Sequence, residues 1–271
     1  MFADPQSWLA AIDLDGTLLT TSLTVSDYTK RALDKWRAAG NFALVVTARP
    51  PRSIKFLHEV FVTSGAAICS NGALIYDFAT DAVRTRRCLD DAFVLEMIDV
   101  LRSKLTEAAF ALEFGLHIAR DEAFPLSDSP DHEVSIGDVT TLLDRPVAKL
   151  IVRDSNINIS DLQDLCQAAV GAKATVTHSG TEYVEISALG IDKANALAEY
   201  CSEAGIDASR VIAIGDMPND LPMMAFAGQS VAMANGHDSV RAYADSVTAS
   251  NDEDGVALAL ELALQRSAEL K

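Results

Sequence analysis

Asp13 and Asp15 stand two residues apart in Asp13-Leu14-Asp15-Gly16-Thr17-Leu18, directly after the apolar run 8–12. Two like charges held ~4 Å apart cost about 4 kcal/mol at an effective dielectric of 20. A divalent cation removes that penalty, and hard Mg2+ prefers carboxylate oxygens and water. Gly16 lets the backbone turn sharply away from the run. A second acidic turn, Gly215-Asp216-Met217-Pro218-Asn219-Asp220, follows another apolar run, 211–214. Side by side, the two turns make a candidate metal site. Thr47 closes the run 42–46 and offers a hydroxyl, and Lys193 opens a helical pattern where N–H groups also favour an anion. Acids that are to approach a phosphate dianion need such a cation beside them.

The elements that must position these residues are legible. Short apolar runs at 8–12, 42–46, 66–69, 211–214 and 230–233 suit strands buried on both faces of a parallel sheet. Helical patterns lie between them. Ser26 can cap one that Gly40 stops, Asp192 another that ends at Gly205, and a last helix spans 255–266. The alternation predicts βαβ units and a doubly wound α/β fold. From about 74 to 187 the strands at 83–85, 174–177 and 183–186 instead alternate in polarity, as an antiparallel sheet does. Helices are expected there at 91–108 and, from the capping box Ser160…Gln163, up to Gly171. The stretch therefore reads as an α+β module inserted into the doubly wound domain.

Composition narrows the partners. Of 271 residues, 49% are apolar, enough for a sizeable core, and the formal charge of −17 disfavours nucleic acid. Cys69, Cys88, Cys166 and Cys201 lack metal-ligand spacing and read as reduced, structural thiols. No apolar stretch approaches the ~20 residues of a membrane span, and no charged leader precedes Lys30, so a cytoplasmic protein is expected.

At this point the chain resembles the haloacid dehalogenase superfamily of phosphatases, most of all the Cof-like branch with a large α/β cap. The resemblance runs through Asp13-Leu-Asp15-Gly-Thr-Leu, Thr47-Ala-Arg49-Pro50, Ser70-Asn71-Gly72-Ala73, Gly190-Ile-Asp-Lys193 and Gly215-Asp216…Asn219-Asp220. It continues through Val231-Ala-Met-Ala-Asn235 and Asn251-Asp-Glu-Asp-Gly255-Val256. It implies a mainly parallel, Rossmann-like core from 1–80 and 188–271, and an inserted cap at 81–187 that contacts the organic part of the substrate.

The resemblance also implies roles. Asp13 would be the nucleophile and a metal ligand; Asp15 would be the acid/base, with its backbone carbonyl on the metal. Asp216 would be a further ligand, with Asp220 in the metal set and Asn219 supporting it. Thr47 and Lys193 would hold the phosphoryl group, with Arg49, Asn71, Gly72 and Asn219 around the phosphate. Mg2+ is the implied cofactor, and the implied partner is a small phosphomonoester such as a sugar phosphate, bound by a monomer or small homo-oligomer. Glu113, His117, Arg120 and His178 are cap candidates. Ala48 and Ala194 stand where the family usually has glycine, which bears on substrate fit. A phosphomutase using the same phosphoaspartate, a receiver-like module and a silent phosphate-binding protein are the alternatives; the paired acids and the long insertion disfavour the receiver.

Overall fold

The computed structural model describes residues 7–61, 65–125, 133–178 and 183–269, which form two sheets. The first five strands are β1 (Leu9–Ile12), β2 (Phe42–Val46), β3 (Ala66–Cys69), β4 (Leu74–Asp77) and β5 (Ala82–Thr85). They are followed by β6 (Ala108–Glu113), β7 (His117–Arg120), β8 (Glu133–Ile136), β9 (Lys149–Asp154), β10 (Ala174–Thr177) and β11 (Val184–Ala188). The last three are β12 (Val211–Gly215), β13 (Gln229–Ala232) and β14 (Ser246–Val247). The helices are α1 (Asp27–Ala38), α2 (His58–Phe61), α3 (Asp91–Arg102), α4 (Ile159–Val170), α5 (Lys193–Ala204), α6 (Leu221–Phe226), α7 (Asp238–Tyr243) and α8 (Gly255–Glu269).

The first sheet runs β14-β13-β12-β1-β2-β3-β4-β5, parallel as far as β3 and antiparallel beyond it. β1 lies inside it, and alternate residues face opposite layers. Ala10 and Ile12 pack with Leu33 and Trp36 of α1 and Leu260 of α8. Leu9 and Ala11 pack with Ala196 and Leu197 of α5 and Met223 of α6. That two-sided cover explains why the runs are continuously apolar, and it is the doubly wound α/β arrangement read from the sequence. Because β12, β1 and β2 are parallel neighbours, the loops leaving their carboxyl ends meet, and these loops carry Asp216, Asp13 and Thr47.

The second sheet runs β10-β11-β9-β6-β7-β8, antiparallel except for β7 with β8. One face packs on α3 and α4 through Val94, Ile98, Leu101, Leu162 and Cys166. β5, which falls within the range read as the insertion, hydrogen-bonds to β4 at the edge of the first sheet. Two helix boundaries differ from expectation. α3 ends at Arg102 with Ser103 as its C-cap, and Ala108, the last residue of the expected helix, instead opens a six-residue ladder with β9. α4 is capped by Asn158, which accepts from Asp161 N, so Ser160 lies inside the first turn; Asn caps at least as well as Ser. The four cysteines are free. No helix among the described residues is long and apolar enough to cross a membrane.

Candidate active site

Asp13 extends the ladder one residue beyond β1, its N–H donating to Ile214 O at 2.9 Å. The chain then turns in a wide loop closed by Leu18 N to Asp13 O at 3.2 Å and Leu19 N to Leu14 O at 2.9 Å. Gly16 sits at φ +77°, and a Cβ built there would lie 2.5 Å from Asp216 Oδ2. Asn235 Nδ2 holds the Gly16 carbonyl at 2.8 Å, and Asn251 Nδ2 holds that of Leu19 at 2.9 Å. The loop is thus tied from the far end of the chain. Gly16→Ala is expected to cost about 1–3 kcal/mol through left-handed strain. It should also displace the Asp216 carboxylate. Thermal denaturation with and without Mg2+ checks both, the second as a loss of stabilisation by the ion.

The buried centre is a group of three acids and one base. Lys193 Nζ donates to Asp13 Oδ1 at 2.5 Å and to Asp220 Oδ1 at 2.6 Å. Asp220 Oδ2 accepts from the backbone N–H groups of Asp216 and Met217, each at 3.0 Å. Asp216 Oδ1 accepts from Thr17 Oγ1 at 2.9 Å. Each of Asp13, Asp216 and Asp220 offers a carboxylate oxygen within 4.8 Å of the others. Lys193 is the first residue of α5, whose cap Asp192 accepts from Asn195 N at 2.7 Å. The helix seats closely because Gly72 has no side chain; a Cβ there would lie 2.8 Å from Asp192 O.

Burial dominates the electrostatics. It pushes the Asp13 carboxyl up to about 7, with Lys193 pulling down and Asp220 and Asp216 pushing up. The ion pair with Lys193 is therefore outweighed. Burial likewise raises Asp216, against the Thr17 hydrogen bond and with the help of Asp220. Burial disfavours the charged Lys193, yet Asp13 and Asp220 together raise its pKa, so it remains an ammonium. One lysine does not neutralise three acids. A dication is what this donor set fits, because it would favour the ionised form of both Asp13 and Asp216. Asp220 already takes three protein donors, so it backs the cluster, and Asp13 and Asp216 keep more lone pairs for an ion.

The remaining predicted residues are placed as follows. Thr47 is buried, its Oγ1 accepting from Arg49 N at 3.0 Å. Arg49 forks onto Asp15, Nε to Oδ2 at 2.9 Å and NH2 to Oδ1 at 2.5 Å. The exposed Asp15 carboxylate is accordingly outside the group of three. Asn71 N donates to Thr47 O at 3.1 Å, and Ser70, Asn71 and Gly72 all have positive φ, a strained turn beside the site. Asn219 is exposed in the turn Pro218–Asp220. Thr17, Asn235 and Asn251 gained no role from the sequence, although their fixed spacing from the acidic turns was on view.

The four residues singled out in the insertion are placed as follows. Glu113 pairs with Arg52 and accepts from Gly115 N. Arg120 donates to Phe124 O at 3.0 Å. His117 stands 3.7 Å from Glu133 and against the Phe114 ring. His178 is exposed at the end of β10. Lys149, which no motif marks, is buried on β9, crosses to the first unit and donates to Ala48 O at 3.1 Å.

A model of the haloacid dehalogenase-like hydrolases matches residues 10–260. The chain belongs to that family. It is similar to the 5-amino-6-(5-phospho-D-ribitylamino)uracil phosphatase YcsE of Bacillus subtilis, 32% identical over 253 residues that cover 93% of this chain and 94% of that one. It is 26% identical to the pyridoxal phosphate phosphatase YbhA of Escherichia coli, covering 91% and 95% of the two chains. A solved haloacid dehalogenase-like hydrolase from Bacteroides thetaiotaomicron superposes with a TM-score of 0.81 at 26% identity, over 95% of this chain and all of the other. The resemblance to haloacid dehalogenase phosphatases with a Cof-like α/β cap is borne out, and the chain is a phosphoric monoester hydrolase.

Proposed function

We propose that this haloacid dehalogenase phosphatase hydrolyses a small phosphorylated metabolite through an aspartyl phosphate on Asp13, with Mg2+ as cofactor. The observation that carries the proposal is the Lys193 ammonium wedged between Asp13 and Asp220 at the carboxyl ends of the strands, where α/β proteins bind ligands. Asp13 and Asp216, with the Asp15 backbone carbonyl, would hold Mg2+, which offsets the negative charge of acids and phosphate. Asp13 Oδ attacks phosphorus, and the bond from phosphorus to the departing oxygen breaks. Asp15 gives its proton to that oxygen, releasing the alcohol. Asp15 then takes a proton from water, whose oxygen attacks phosphorus, and the bond to Asp13 breaks to give inorganic phosphate. The ammonium of Lys193, the Thr47 hydroxyl and the Asn71 and Gly72 backbone stabilise the transferring group. Arg49 and Asn219 supply further donors to the phosphate oxygens.

The inserted stretch, roughly 81–187 and apart from β5, which extends the first sheet, serves as the cap that covers the site and meets the organic part of the substrate. Relatives named for a ribitylaminouracil phosphate and for pyridoxal phosphate put those two compounds first on a substrate panel, ahead of sugar phosphates. Phosphate release is expected with Mg2+ and not with EDTA. Because the metal-free Asp13 holds its proton up to about 7, Mg2+ must displace it, so apparent Mg2+ affinity should rise with pH until about 7 and then level. Isothermal titration across pH checks this; phosphate release that persists in EDTA would refute the metal role.

A further inference from the structure

Glu113 and Lys149 are register partners on β6 and β9, and both reach out of the second sheet to one short segment of the first unit. Lys149 Nζ donates to Ala48 O at 3.1 Å and to Glu185 Oε2 at 2.7 Å. Glu113 pairs with Arg52 through Oε2 and accepts from Gly115 N at 2.9 Å through Oε1, while Arg52 N donates to Gly115 O at 3.1 Å. Lys149, Glu113 and Arg52 are 3%, 1% and 8% exposed. Burying charges is a poor way to gain stability, since apolar groups of the same shape often do as well. What charged contacts add is a defined geometry at both ends of residues 48–52.

Arg49 lies between those two anchor points, and its guanidinium holds both oxygens of Asp15. Each carboxylate oxygen keeps a further lone pair for proton transfer. We propose that Lys149 and Glu113 are positioning residues that act through the 48–52 segment and Arg49 to set the Asp15 carboxyl against the departing oxygen. The inference rests on the aspartyl-phosphate reading. Engagement of the second sheet then governs proton transfer as well as access to the site. Glu185 holds Lys149 in place.

The two steps differ in their need for Asp15. An alkoxide departing from an alkyl phosphate must receive its proton, whereas p-nitrophenolate leaves as a stable anion. Lys149→Met and Glu113→Gln should therefore lower kcat for an alkyl phosphate by about 10- to 100-fold, a large part of what general acid catalysis contributes. KM should change little, and the first-turnover burst of p-nitrophenolate should stay near that of the wild type. The profile should match that of Asp15→Asn in kind and be smaller in size, and Lys149→Arg should recover part of the loss. The double variant Arg52→Met/Glu113→Leu leaves no orphaned buried charge, so it tests the same contact if Glu113→Gln folds poorly. Equal loss of the alkyl rate and the burst, or no loss in a folded variant, would overturn the inference. Turnover that survived Asp13→Asn would instead overturn the underlying mechanism.

Discussion

Asp13→Asn is expected to abolish phosphate release on every substrate while the protein still folds. An amide oxygen is a poor nucleophile, and removing a nucleophile from a group that acts as a unit costs on the order of 10⁴–10⁶-fold in kcat. The fold survives because Lys193 keeps Asp220 as its partner at 2.6 Å. The substitution also removes the acid whose carboxyl burial raises to about 7. A raised carboxyl binds protons more tightly folded than unfolded, so in EDTA it lowers stability as pH rises from about 4 to 7. That fall should be smaller in the variant. Phosphate assays and urea unfolding at several pH values measure the two effects, and a variant within tenfold of wild type would remove Asp13 from the chemistry.

Lys193→Met should be nearly as damaging to catalysis and far more damaging to stability. The ammonium is 3% exposed and bonds two carboxylates. Removing one member of a buried ionic group costs about 3–5 kcal/mol, because the remaining charges stay uncompensated. Without it the Asp13 carboxyl should rise above its present value of about 7, which weakens both nucleophile and metal ligand. Mg2+ should recover part of the stability by neutralising Asp13 and Asp216, and little of the turnover. Urea denaturation with EDTA and with Mg2+ measures the recovery. Equal unfolding midpoints of variant and wild type in EDTA would contradict the role assigned to the buried ammonium.

The parts of this site that were legible in the sequence are those fixed by local chain geometry. Asp13, Thr47 and Asp216 each end a strand, so placing the strands placed the side chains. Lys193 opens a helix whose cap, Asp192, stands beside it in the chain. What was not legible depends on contacts between distant segments. Lys149 lies in a stretch that no motif marks, and its register partner Glu113, buried with it, is 36 positions away. The pairing of Arg49 with Asp15 was likewise hidden, because a phosphate-facing arginine and an acid-holding one have the same surroundings in sequence. β6 and β9 are hidden for a related reason: neither run alternates in polarity, and the ladder that makes them strands joins residues some 40 positions apart.

Stereochemistry at phosphorus tests the account most directly. A substrate whose phosphoryl group is made chiral with oxygen isotopes is hydrolysed, and the configuration of the released phosphate is read by NMR. Attack by Asp13 followed by attack of water is two in-line displacements, so the configuration should be retained. Inversion would mean a single displacement by water. It would contradict an aspartyl phosphate on Asp13, whatever the metal requirement proved to be.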